Sequence, residues 1–309
     1  MTPDEALIEF RAWLKMKNYR PRSVSTYTIL LSPFWAWLAQ EGITDLRTIS
    51  RAILERYAVH VQSQPVSRST QAVRIRAVKR LFGCLVENNY LLVDPAVGLR
   101  DPSSGQRLPK PVLTQAEIKR LLAQPNTSLK HGIRDRALLE LLYSTGLRIG
   151  EAVALTVYDV DLEAGLLSVR SGKGGKARVV PLGHEATRWL REYLEKIRPR
   201  QNRLAPQERS LFLTQQGGAF IRHTIEVIIR RYARAAKINK QVTCHTLRHT
   251  CATHLLEAGA DLVAIKELLG HRDLRTTQLY TRVRPVEVKA MHQATHPREQ
   301  AGETGDAAS

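Results

Sequence analysis

Between Asp94 and Pro111 the chain reads DPAVGLRDPSSGQRLPKP, a stretch dense in proline, glycine and serine with no apolar periodicity. A hydrophobic core cannot run through such a segment, so the chain must fold as two bodies joined by a linker. A length of 309 residues agrees, because domains usually run to about 100–200 residues. The boundary is expected near residue 105, with residues 1–100 as the first domain, 101–111 as linker, 112–297 as the second domain and 298–309 as a mobile, polar tail.

Before the linker, four segments carry apolar residues at helical spacing. PDEALIEFRAWLKMKNY has Thr2 as N-cap, Pro3 at the first helical position and acids in the first turn. SVSTYTILLSPFWAWLAQEG stops at Gly42, and DLRTISRAILERYAVHVQ and SRSTQAVRIRAVKRLFGCLVENNY supply two more. Beyond the linker, TQAEIKRLLAQ and IRDRALLELLYSTG read as helices. The period then changes: GLLSVRSGKGGKARVVPLG alternates on both sides of a glycine-rich turn, the pattern of a β-hairpin, and helices return from His184. The expected fold is mainly α with a small antiparallel sheet.

The charge balance selects the partner. Lys and Arg number 47 against 29 Asp and Glu, giving a net charge of +18 and a pI near 10.2. Basic residues run through every segment and are mostly arginine, whose fork suits phosphate and base contacts, so nucleic acid is favoured over an acidic membrane. Arg74, Arg76, Lys79 and Arg80 cannot share one helical stripe, and are read either as a solvated face or as phosphate contacts. There is no basic start followed by an apolar core and no apolar run of about 18 residues, so a cytoplasmic protein is expected. Cys84, Cys244 and Cys251 form no C-x-x-C pair, fit no disulfide framework and are expected to be small buried hydrophobes in a reducing compartment.

Four places in the second domain hold cationic or nucleophilic groups that packing does not require. In YSTGLRIGEAVAL, Arg148 follows Gly146 at a helix junction, ahead of Glu151. In SGKGGKAR, the glycines are read as holding Lys173, Lys176 and Arg178 on a short mobile arm. In HTLRHTCATHLLEAG, His245 and Arg248 share a helix face. Leu247, Cys251, Leu255 and Leu256 are expected to face the core, which turns His245 and Arg248 toward a cleft. In LLGHRDLRTTQLYTRV, His271 follows Gly270 and Tyr280 comes nine residues later. His245 and His249 have the spacing of H-E-x-x-H without its glutamate, and Arg248 would oppose a metal's charge, so no metal or cofactor is expected. His249 and His254 are read as helix-packing histidines.

Two arginines, histidines, a lysine and a tyrosine, with no acidic cluster to hold Mg²⁺, suit metal-free phosphoryl transfer. An in-line displacement at a phosphodiester gathers charge on the non-bridging oxygens, and two guanidinium forks match it bidentately. A phenol ionises near pKa ~10 and needs such cations to act as a nucleophile, while the leaving 5′-oxygen needs a proton donor.

At these residues the sequence resembles the tyrosine recombinases, and among them the bacterial Xer-type group. The resemblance rests on TGLRIGEAVAL, GKGGKARVVPL, HTLRHTCATHLLEAGADLVAIKELLGH and LRTTQLYTRV in that order, and covers residues 3–297. It implies a helical, SAM-like core-binding domain and a catalytic domain that together clamp duplex DNA. It further implies that Arg148, Arg248 and His271 hold the scissile phosphate, Lys173 is the general acid, His245 assists proton transfer and Tyr280 is the nucleophile. Cys251 and Cys244 stand where the family usually carries other residues, and there is no insertion of the integron-integrase kind. PVEVKAMHQ resembles the C-terminal helix that docks on a neighbouring subunit.

The expected partners are double-stranded DNA with paired inverted half-sites and a tetramer, either of this chain or with a related recombinase, under the control of a DNA-translocase regulator. FIRHTIEVIIRRYARAAK is a candidate half-site reader. Dimer resolution is the expected role; the alternatives are a mobile-element integrase or transposase, a topoisomerase-like relaxing enzyme, or a non-catalytic DNA-binding protein with this fold.

Overall fold

The computed structural model describes residues 1–102, 111–170, 177–203, 205–270 and 285–300. Internal contacts divide the chain into Met1–Leu108 and Pro109–Ser309.

The first unit is built from α1 (Pro3–Met16), α2 (Pro21–Gln40), α3 (Arg51–Ser63) and α4 (Arg68–Glu87). Thr2 is the N-cap of α1, as expected, and it caps in a reciprocal box with Glu5. The segment from Asp45 does not enter α3 directly. It makes a single 3₁₀ turn, Leu46–Thr48, because Asp45 accepts from the Arg47 backbone N–H and holds its own short cap. Phe34 sits at the centre of the unit, edge-on to Tyr57 at 4.8 Å and to Phe82 at 6.2 Å. On α4 the basic residues divide by task. Arg76 and Lys79 pair with Asp101 at 3.2 and 2.9 Å, while Arg80 lies 4.9 Å over Trp13 and donates to the Tyr19 hydroxyl.

The second unit is organised around α6 (Lys130–Thr145), buried on nearly every side, with α5 (Gln115–Ala123) beside it. The capping box of Thr114 and Glu117 starts α5, and Gly146, at φ +57°, ends α6 in the left-handed conformation. The short α7 (Ile149–Ala154) follows, then an antiparallel sheet of β1 (Val160–Asp161), β2 (Leu166–Val169) and β3 (Arg178–Pro181) in chain order. The hairpin pairs Leu167 with Val180 and Val169 with Arg178, which sends Leu167, Val169 and Val180 into the core. The two-residue β1 is too short to show a period in sequence.

Next come α8 (His184–Glu192), a widened turn at Tyr193–Ile197, α9 (Arg198–Asn202), α10 (Arg222–Ala235), α11 (Cys244–Glu257), α12 (Leu262–Leu269), α13 (Pro285–Thr295) and α14 (Pro297–Gln300). The result is the expected class, mainly helical with a small antiparallel sheet. No helix among the described residues is long and apolar enough to cross a membrane.

Two local expectations need correction. Leu256 is 52% exposed, because the α11 face that meets the core carries Leu247, Cys251, His254 and Leu255 instead. The start of the stretch read as a polar tail is packed: Arg298 pairs with the buried Glu140 at 2.7 Å and with Glu185 at 3.1 Å, partners that its polarity alone did not reveal. In this single chain α13 packs on its own protomer, with Val288 buried and Lys289 donating to the Ala164 carbonyl at 2.6 Å.

Candidate active site

Two helices, α6 and α12, end in left-handed glycines, Gly146 at φ +57° and Gly270 at φ +64°. Each ending exposes the partial negative charge of a helix C-terminus. Three arginines meet these ends. At α12, three successive carbonyls each accept from a different one: Leu268 from Arg178 Nε at 2.9 Å, Leu269 from Arg248 Nη2 at 2.6 Å, and Gly270 from Arg148 Nη2 at 3.0 Å. Arg248 also donates through Nη1 to the Gly146 carbonyl at 2.6 Å. One guanidinium therefore bridges both helix ends.

The backbone explains why these side chains converge. Gly146 turns the chain out of α6, Leu147 is buried as a plug, and Arg148 takes the N-cap position of α7. Glu151, one turn on, accepts the Arg148 backbone N–H at 2.9 Å and Arg148 Nη1 at 2.9 Å. It also takes a bidentate fork from Arg178, at 3.0 and 2.9 Å. The Arg148 side chain keeps 39% exposure, whereas Arg248 is 6% exposed. Sequence reading turned Arg248 toward an open cleft; it is buried because its fork is spent on two helix ends that only the tertiary fold brings together.

Burial opposes the charge on Glu151, yet the hydrogen bonds from Arg178 and Arg148 win and hold its carboxyl down at about 2. Burial, reinforced by the neighbouring cations Arg148 and Arg178, lowers Arg248 to about 10. The guanidinium stays charged at neutral pH in a site crowded with cations, an arrangement that asks for an anion.

His245 lies one turn before Arg248 on α11 and is exposed, whereas Arg248 is buried. His249 is exposed rather than packed, since its ring falls on the outer face of α11. His254 is buried and satisfied, with Nδ1 2.8 Å from the Tyr143 hydroxyl. Cys84, Cys244 and Cys251 are free and buried, and burial pushes each thiol up to about 12. The Cys244 thiol donates to the Leu147 carbonyl at 3.3 Å, so it packs the arginine junction. Lys173, His271 and Tyr280 lie outside the described residues.

Sequence reading missed the tasks of two residues. Arg178, placed there on a mobile arm, is the first residue of β3 and its side chain is only 14% exposed. Glu151 entered only as the acid that follows Arg148 in the chain. The Arg148–Glu151 spacing of three was a usable signal, but the tie to Arg178 was not.

Residues 111–287 match the Phage integrase family, and residues 7–89 match the Phage integrase, N-terminal SAM-like domain. The chain belongs to the phage integrase family of tyrosine recombinases. Among the relatives of this recombinase, Tyrosine recombinase XerC 2 of Ralstonia nicotianae is 38% identical over 290 residues, covering 92% of this chain and 83% of that one. Tyrosine recombinase XerD of Listeria monocytogenes is 38% identical over 258 residues, covering 84% and 86%. The recombinase shares its fold with a λ integrase dimer bound to a COC′ core site, with TM-score 0.69, 16% identity and coverage of 92% and 99%. It also shares it with the XerH site-specific recombinase bound to difH, with TM-score 0.67, 23% identity and coverage of 95% and 84%.

Proposed function

We propose that this chain cuts and rejoins double-stranded DNA at a defined site through a 3′-phosphotyrosyl intermediate on Tyr280. The observation that carries the reading is the pair Arg148 and Arg248, anchored on the adjacent carbonyls of Gly270 and Leu269, immediately before His271 in the chain. Guanidinium groups fixed side by side match the non-bridging oxygens of a pentavalent phosphorus.

In this reading Tyr280 releases its phenol proton toward His245, its oxygen attacks the scissile phosphorus, the bond to the 5′-oxygen breaks, and Lys173 delivers the proton that the leaving oxygen takes up. His245 assists proton transfer and His271 joins the arginines on the phosphate. The phosphotyrosyl ester conserves the bond energy, so a 5′-hydroxyl rejoins the strand by the reverse step without ATP. Four protomers, of this chain or paired with a related recombinase, hold two sites of inverted half-sites and exchange strands in pairs through a Holliday junction. The reading extends to resolution of chromosome or plasmid dimers in the cytoplasm, with a DNA translocase setting strand order; its support is the similarity to relatives named Tyrosine recombinase XerC 2 and Tyrosine recombinase XerD.

The test begins by sequencing genomic DNA bound by purified Tyr280→Phe protein. The recovered site, nicked so that rejoining is blocked, is incubated with wild-type protein in EDTA without nucleotide. Covalent protein–DNA complexes are expected with wild type and not with Tyr280→Phe. Complexes of equal yield with both proteins remove the nucleophile assignment, and none with either removes the reading.

A further inference from the structure

Glu151 is shared. Its buried carboxylate accepts four hydrogen bonds, from the backbone N–H and Nη1 of Arg148 and from Nη1 and Nη2 of Arg178. That fills the roughly four acceptor positions a carboxylate offers. We infer that Arg178 is a positioning residue for strand transfer: by occupying Glu151 bidentately it leaves Arg148 a net cation, partly exposed among the described residues and held for the phosphate. The inference rests on the recombinase reading above.

Arg178 is unsuited to touch the substrate itself. Its Nε is committed to the Leu268 carbonyl, both terminal nitrogens are on Glu151, and the side chain is 14% exposed. It also lies against Gly270, where an added Cβ would stand 3.1 Å from Nη1. Arg148 is the opposite case, with one terminal nitrogen on Glu151, the other on the Gly270 carbonyl, and 39% of the side chain exposed. With Arg178 present, two cations share one buried anion. Remove it, and Glu151 carries two empty acceptor positions and a full negative charge whose nearest partner is Arg148. Arg148, already bonded at Oε1, then closes onto both oxygens and its charge is cancelled where the phosphate needs it. The strong depression of the Glu151 carboxyl by Arg178 accords with this division.

The experiment measures single-turnover covalent complex formation by the full-length chain on the nicked site described above. Arg178→Gln is expected to slow it about 100-fold, the scale of losing one transition-state donor, with DNA affinity unchanged. Adding Glu151→Gln to that variant is expected to restore about 10-fold or more, because the charge that captures Arg148 is gone. A wild-type rate for Arg178→Gln, or a double variant no faster than the single, overturns the inference. A second substrate keeps the result readable if Arg178→Gln also loosens the fold. On a methylphosphonate at the cleaved position, which has no non-bridging charge, its deficit relative to wild type shrinks if charge is at stake; an equal deficit on both diesters assigns Arg178 to packing alone and overturns the proposal. No complex with wild-type protein would instead remove the recombinase reading.

Discussion

Replacing Arg248 by methionine separates what this side chain contributes to folding from what it contributes to chemistry. The variant leaves the Gly146 and Leu269 carbonyls without their donor. An unsatisfied buried acceptor costs about 1–3 kcal/mol, so the pair costs about 2–6 kcal/mol. Against this, burial and the neighbouring cations Arg148 and Arg178 hold the guanidinium down at about 10. That depression from above 12 corresponds to roughly 3 kcal/mol of unfavourable burial of the cation, which methionine removes. The sign is consistent: because the folded value is the lower one, the cost is present at neutral pH and is relieved only as pH rises through about 10. The net change therefore lies between a gain of about 1 kcal/mol and a loss of about 3 kcal/mol, or a drop of at most about 12 °C in the unfolding midpoint of a domain this size. Covalent complex formation, in contrast, should fall by about 100-fold or more with the loss of a transition-state donor. Thermal unfolding and single-turnover adduct formation on one preparation give both numbers. A midpoint drop near 20 °C would show that the arginine is chiefly structural, and adduct formation at the wild-type rate would refute its catalytic role.

Other expected outcomes follow from particular positions. Gly146→Ala forces a side chain into the left-handed region at about 1–2 kcal/mol and places Cβ 2.6 Å from Leu269 Cδ2, so it should destabilise by more than Gly42→Ala, where φ is also positive (+70°) but no atom lies within 4 Å; equal midpoints would contradict this. Glu151, held at about 2 by Arg178 and Arg148 against the effect of burial, contributes roughly 3 kcal/mol above the usual carboxylate range that is lost as pH falls toward 2; Glu151→Gln should flatten the acid limb of a urea-unfolding series. His296, fully buried against Tyr143 and stacked on His292 at 4.5 Å, has its pKa lowered by burial and then by His292, with Arg298 and His254 adding to the effect. The unfolded chain therefore takes up the proton first, stability falls as pH drops below about 6.5, and His296→Leu should reduce that fall between pH 7 and 5.

The parts of this protein legible in its sequence are those set by neighbours along the chain. Thr2 with Glu5 and Thr114 with Glu117 announce helix starts because a capping box needs only four residues. Leu166–Val169 and Arg178–Pro181 announce a hairpin because alternation is local. Arg148 and Arg248 stood out as cations at a glycine junction and on an apolar helix. What stayed hidden depends on separation. Arg178 reaches Glu151 across 27 residues, Arg148 reaches Gly270 across 122, and His292 Nε2 meets the Ser144 carbonyl across 148. No pattern on one strand or helix encodes such meetings, and for the same reason the burial of Arg248 was not foreseen.

The account turns on one covalent bond, and mass spectrometry of the trapped complex tests it most directly. After nuclease and trypsin digestion of the adduct formed on a nicked site, the nucleotide-bearing peptide should be the one containing Tyr280, joined through a 3′-phosphate to the phenol oxygen. A nucleotide carried by another residue, or joined through a 5′-phosphate, would contradict it.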